Sequence, residues 1–243
     1  MTWKHGLLSA LVLIAAWQLL VLVTGVQDFI LPPPLKVAKA LWLYREIIFE
    51  NAQITIIEVL LGMALGTALG IVTALHLATS STARAILRPI LVFSQAIPVF
   101  ALAPILVLWF GYGIWSKIIM AVLIIYFPVT SAFFDGLMKT PAGYLDLAKT
   151  MGATHARTLW HIRFQAALPA LGSGLRLAAV YAPFGAVIGE WVGASKGLGY
   201  LMLLANGRIK IDLMFATLIV LAVLTVALHL IVDILARKLA RDH

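Results

Sequence analysis

The chain contains no cysteine. Disulfides, thiolate metal sites and cysteine nucleophiles are thereby excluded. Charge is scarce as well, at 12% of 243 residues. There is no H-E-x-x-H and no close His/Asp set, so the ligand or nucleophile–base cluster that a membrane enzyme needs is missing. No G-x-x-x-x-G-K-[ST] loop is present either. Nucleotide is then not bound in the usual way, and energy for any active transport must come from a separate subunit. An acid pair at the middle of a membrane span is absent, as is an internal repeat. Both absences weigh against a proton-driven secondary carrier, which holds an acidic relay at that depth within inverted repeats.

What is present is apolar. Hydrophobic residues make up 63% of the chain, with a mean hydropathy of +1.03, against about half in soluble domains. Several runs of about 20 apolar residues are long enough to cross a hydrocarbon core. The fold class is therefore all-α, a polytopic membrane protein with about six transmembrane helices in a single domain, residues 1–243.

The first run, Gly6 to Gly25, follows Lys4 and His5. It is long for a signal-peptide core and VLVTGVQ offers no cleavage site, so it reads as a membrane helix. Pro32, Pro33 and Pro34 make an extended connector. Leu35 to Phe49, with mixed charges and helical spacing, reads as an interfacial amphipathic helix. Residues 1–50 thus form an N-terminal part and 51–243 a core. In that core, spans are expected near Ala52–Leu77, Ile86–Phe110, Ile114–Phe134, Ala166–Val192 and Leu213–Leu235. The second span carries Gly62-x3-Gly66-x3-Gly70, a ridge that lets another helix approach closely. The third is interrupted by Pro89, Pro98 and Pro104, which is tolerated where neighbours or a water-lined path satisfy the freed carbonyls. A short helix is expected in the loop GASKGLGYLMLLANGRIKID before the last span.

The net charge of +8 raises nucleic acid as a partner, but the basic residues sit between apolar runs and read as topology signals; no nucleic-acid partner is expected. Six spans with a cytoplasmic N-terminus put Lys4, Arg84, Arg88, Lys139, Lys149, Arg157, Arg163, Arg237, Lys238 and Arg241 inside. Lys36, Lys39, Arg45, Lys117, Lys196, Arg208 and Lys210 fall outside. The excess lies on the expected side, with both termini cytoplasmic.

Ionisable residues within spans are functional candidates by default: Glu58, His76, Arg176, Glu190, His229 and Asp233. His76 and Asp233 lie near helix ends and read as interfacial. Glu58 and Glu190, near the outer face, serve either helix packing and capping or a translocation path. Arg176 reads as a structural ion pair or carbonyl contact. Path candidates are Gln95 and Pro98 on the broken third span, with Glu190 and Trp191 at the outer end of the fifth.

One polar, basic island stands out, LDLAKTMGATHARTLWHIRFQAALPALGSGLRL from Leu145 to Leu177. It resembles the coupling loop of permease subunits of bacterial ATP-binding-cassette importers, whose pattern is E-A-A-x-x-x-G-x9-I-x-L-P. Asp146, Leu147 and Ala148 occupy the first three positions, Gly152 the glycine and Ile162 the isoleucine. Phe164 stands for the leucine and Gln165 for the proline, with a proline later at Pro169. The segments LPPPLKV, QAIPVFALAPILVLWFGYG, LPALGSGLRLA and GEWVGASKGLGYLM are similar to the nitrate, sulfonate and taurine branch of these permeases. GAVIGEWVGASKGLGYLMLLAN is similar to permeases for hydroxymethylpyrimidine-type thiamin precursors.

The resemblance implies a type I importer permease fold in the bacterial inner membrane, with a coupling loop over residues 139–165. It implies two copies of this chain around a central path and two ATPase subunits, which bind ATP and Mg, gripping the loops. Asp146, Leu147, Ala148, Gly152, Ala153, His155 and Ile162 are the implied coupling positions. A periplasmic binding protein would deliver the solute, a thiamin precursor or alternatively a sulfonate, taurine or nitrate. No cofactor is implied for this chain itself. The glycine is expected to allow a close turn that no side chain permits.

Overall fold

Proline, glycine and charge punctuate the apolar runs, and the chain folds as helices between those marks. The structure is a computed structural model and describes residues 3–241. Met1, Thr2, Asp242 and His243, the two ends of the expected domain, lie outside the described residues, as do the side chains of Lys4 and Arg241. Every regular element among the described residues is helical: α1 Trp3–Thr24, α2 Pro34–Leu43, α3 Arg45–Thr79, α4 Ser81–Ser94, α5 Val99–Phe110, α6 Ile114–Met138, α7 Ala142–Thr150, α8 His155–Thr158, α9 Phe164–Gly193, α10 Leu198–Gly207 and α11 Ile211–Arg241. A π-helical turn, Leu159–Arg163, joins α8 to α9.

Against six expected spans, four helices among the described residues are long and apolar enough to cross a membrane, and five if the bent pair α4–α5 counts as one. The N-terminal helix α1 has 22 residues, with Leu8–Thr24 as its shorter apolar stretch. It stands apart from the bundle, touching it where Trp17 stacks on Phe215 at 5.6 Å. Three boundaries also move. The expected interfacial helix ends at Leu43, and Arg45 already belongs to α3. The third span is two helices bent by 100°. Of its three prolines only Pro98 marks the break, as the residue before α5; Pro89 and Pro104 sit inside helices. The fifth span is continuous back to His155, so the second half of the loop is helical.

The bundle is built around α6. Ile118, Ala121, Ile125, Val129 and Phe133 recur at three- and four-residue spacing and are almost completely buried, forming a core stripe. The glycine ridge of α3 packs on it. A Cβ built on Gly62 would stand 2.5 Å from the Ala121 Cβ, one on Gly66 3.2 Å from Ile125, and one on Gly70 2.9 Å from Val129. From the other side, a Cβ on Gly185 of α9 would meet the Ala121 Cα at 2.5 Å. Three backbones thus converge at Ala121. Helices in lipid gain little from hydrophobic exclusion, so this close packing is what holds them together. The outer faces of α1, α4, α5 and α11 carry exposed leucine, isoleucine, valine and phenylalanine, as suits a lipid-facing surface.

Gly62→Val and Gly185→Val are each expected to destabilise the detergent-solubilised chain by about 1–3 kcal/mol through overpacking. Gly143→Ala adds a methyl where no atom lies within 4 Å and is expected to leave the thermal transition in place. Circular dichroism melts check both.

Candidate functional site

At one end of the bundle, α6 gives way to the short helix α7, whose C-terminus closes in a Schellman motif. The Gly152 amide donates to the Lys149 carbonyl at 3.0 Å and the Ala153 amide to the Ala148 carbonyl at 2.9 Å, the paired bonds of that motif. Gly152 has φ +71°, the left-handed region that costs another residue about 1–2 kcal/mol. A Cβ there would meet nothing within 4 Å. Glycine is therefore favoured by the backbone conformation of the tight turn, not by crowding around it. Thr154 then caps α8, its Oγ1 accepting from the Arg157 amide at 3.3 Å.

The motif positions divide by direction. Ala148 is 3% exposed, and Ala153 and Ile162 are half-buried, while Asp146, Leu147 and His155 face outward. Asp146 pairs with Lys149 at 3.6 Å on the surface. Leu147 is 57% and Met151 77% exposed, beside an exposed Tyr144. Phe164, which replaces the pattern's leucine, turns inward. Its ring meets Phe133 edge-on at 5.4 Å and Trp160 at 5.4 Å, so the departure is absorbed by the core. Gln165 keeps a buried Oε1 without a partner.

The four path candidates are spread out. Gln95 and Pro98 lie exposed at the α4–α5 break, with Gln95 Nε2 donating to Ser94 Oγ at 3.3 Å. Trp191 is 43% exposed, whereas Glu190 is 1% exposed and points into the protein. Among the described residues, no hydrogen bond or ion pair links the first two to the last two.

Glu190 instead belongs to a buried polar cluster at the opposite end of the bundle. The first amides of a helix have no intrahelical partners, and those at the start of α10 are served by α3 and α9. Asn51 Oδ1 accepts from Gly197 at 2.8 Å and Thr55 Oγ1 from Leu198 at 2.8 Å, while the Glu190 carboxylate accepts from Gly199. Thr55 also donates to Glu190 at 2.6 Å. Glu58 is 3% exposed and leaves Oε2 without a partner. Lys117, counted from the sequence as an outside loop charge, is 2% exposed. Its ammonium donates to the carbonyls of Tyr112, Gly113 and Gly193 at 2.6, 2.8 and 2.7 Å, using all three N–H groups. Deeper in the bundle, Arg176 of α9 meets Asp233 of α11 at 2.6 Å, and Arg237 meets the same carboxylate at 2.6 Å. Arg176 is thus the structural ion pair expected of it. The sequence flagged Glu58 and Glu190 one by one; nothing in it joined them to Asn51, Thr55 and Lys117, which sit on separate helices.

Replacing Glu190 with leucine strands the Gly199 amide and removes the acceptor of Thr55. A loss of about 2–4 kcal/mol in stability is expected, with a smaller loss for Glu190→Gln, which keeps an acceptor. An unchanged melt of Glu190→Leu would contradict the capping role.

Comparison with known proteins agrees with this architecture. Residues 66–242 match the family described as "Binding-protein-dependent transport system inner membrane component". A "Probable ABC transporter permease protein" of Haemophilus influenzae is 50% identical over 227 residues, covering 93% of each chain. The formylaminopyrimidine transport permease protein ThiX of Halalkalibacterium halodurans is 39% identical, over 78% of this chain and 76% of that one. Among solved structures, an inward-facing form of the MetNI methionine ABC transporter matches with a TM-score of 0.65 at 20% identity, covering 82% of this chain and 97% of that one. The four long helices, the broken third span and the family match together carry one conclusion: the chain belongs to the binding-protein-dependent inner-membrane components, the permease subunits of ABC importers, and has the type I importer fold.

Proposed function

We propose that this chain carries a pyrimidine thiamin precursor from periplasm to cytoplasm, working as a pair of copies with two ATPase subunits gripping the 139–165 loops. The observation that carries the coupling role is the outward apolar cluster of Tyr144, Leu147 and Met151 on α7 and its C-terminal cap. An exposed apolar cluster rimmed by charge suits a protein partner. The Schellman turn at Gly152 fixes the angle at which that cluster is presented. Asp146, Lys149 and His155 form its polar rim. ATP and Mg stay with the partner, whose closure would drive a rigid-body switch of the two permease copies. Both termini then lie in the cytoplasm, and a periplasmic binding protein meets the opposite face.

The substrate reading rests on chemistry and on one relative. A strong anion site calls for a free cation, and the Lys117 ammonium is consumed by backbone carbonyls. The relative named for formylaminopyrimidine transport points the same way.

Leu147→Asp with Met151→Asp is expected to abolish co-purification of the ATPase, each costing about 2 kcal/mol of association as centrally buried contacts do. Gly152→Val acts in the same direction through the turn. Membrane insertion is expected to stay at the wild-type level for all three. Normal ATPase pull-down with the double variant would refute the docking role.

A further inference from the structure

Between α4 and α6, near the end of the bundle from which α7 projects, lies a small half-open cavity of ≈ 110 Å³. Its floor is buried, with Thr130 1% and Phe134 6% exposed. Phe127 and Ser131 are half-buried on its wall, and the exposed Arg88 and Asp135 stand at its rim. Thr130 donates its hydroxyl proton to the Tyr126 carbonyl at 2.7 Å, which leaves its lone pairs free to accept. Two guanidiniums flank Phe134, Arg84 at 5.8 Å and Arg88 at 5.9 Å from the ring centroid. Arg84 is spent on the carbonyls of Leu77 and Ala78. Arg88 is not. Among the described residues, neither Arg88 nor Asp135 makes an ion pair or a side-chain hydrogen bond. Opposite charges that line one small cavity without meeting give it a donor fork on one side and an acceptor pair on the other.

Size and lining restrict what enters. A dry cavity of about 150 Å³ takes benzene, so this half-open one is of single-ring scale. The rest of the lining is leucine and valine, and a few convergent polar groups in apolar surroundings are the usual form of a small-molecule site. The Asp135 carboxylate offsets the attraction of Arg88 for an anion, so a sulfonate or nitrate gains little there. A zwitterion matches both charges but surrenders its hydration against phenyl and leucine surface, which is costly. An uncharged ring with a donor beside an acceptor matches the same groups without that cost. We propose that this cavity binds the transported solute on the coupling-loop side of the path, as an uncharged single-ring heterocycle bearing an amino group next to a ring nitrogen. Asp135 accepts from the amino group, Arg88 donates to the ring nitrogen, and Phe127 and Phe134 supply apolar contact. This deepens the substrate reading given above and rests on it.

The test is isothermal titration calorimetry of the full detergent-solubilised chain with hydroxymethylpyrimidine and with taurine. The wild type is expected to bind the pyrimidine and not taurine. Asp135→Ala and Arg88→Gln are each expected to weaken binding about tenfold, the equivalent of one charge-assisted hydrogen bond. Asp28→Asn, exposed in the connector before α2, should bind as the wild type does. The exchanged pair, R88D with D135R, would preserve a simple ion-pair gate but reverses donor and acceptor towards a ligand. It is expected to bind no better than either single variant. The site is overturned by no binding to the wild type, by taurine bound as tightly as the pyrimidine, or by unchanged affinity in both single variants. Wild-type affinity in the exchanged pair, or a tenfold loss in Asp28→Asn, also overturns it. ATP-driven uptake by the complete assembly separates the site from the substrate reading. Pyrimidine uptake that is undiminished in both single variants overturns the site and leaves that reading standing. Wild-type uptake of taurine in place of the pyrimidine overturns both.

Discussion

Three backbones meet at Ala121, and the rest of the molecule depends on that meeting. Gly62 of α3 and Gly185 of α9 approach the same alanine of α6 from opposite sides. In lipid the spans have no hydrophobic reason to associate, so dispersion at close range and the few polar links between helices must do it. A larger residue at any of the three positions would push α3 or α9 outward. Because α3, α6 and α9 are long and tightly held, their ends keep a fixed relation, and function sits at those ends.

At one end lie the starts of α3 and α6 and the close of α9. There Asn51, Thr55 and Glu190 serve the amides of α10, and Lys117 closes the turn between Gly113 and the end of α9. Polar groups that would be expensive in hydrocarbon are used to fasten loops onto the bundle. At the other end lie the close of α3 and α6 and the start of α9, joined by the α7–α8 loop. Here the polar groups face outward and the apolar Leu147 and Met151 are left uncovered. One end is sealed on itself, whereas the other presents a surface. That asymmetry is what a subunit needs when it holds the membrane path and receives its energy from a partner.

Much of this was legible in the residues. Composition gave the all-helical membrane class, and the Gly62–Gly66–Gly70 ridge announced a close helix contact without naming α6 as the partner. The tight turn at Gly152 was readable, because short-range spacing is a property of the chain itself. What escaped was long-range. Lys117 looked like a loop charge, since nothing local reveals that the Gly193 carbonyl folds back onto it. Glu190 stayed open between capping and the path, because its acceptor role depends on Thr55 and Gly199 from different elements. The π-helical turn before Phe164 has no signature in the sequence. The three prolines of the third span were seen, but only the fold distinguishes Pro98, which sits at the bend, from Pro89 and Pro104 inside helices.

The central claim is that this chain supplies a path and borrows its energy. Uptake of labelled hydroxymethylpyrimidine into proteoliposomes tests it most directly, with the chain reconstituted alone or together with its ATPase and binding protein. The account predicts uptake only in the complete assembly and only with ATP on the ATPase side. Uptake by the chain alone, driven by a proton gradient, would contradict it.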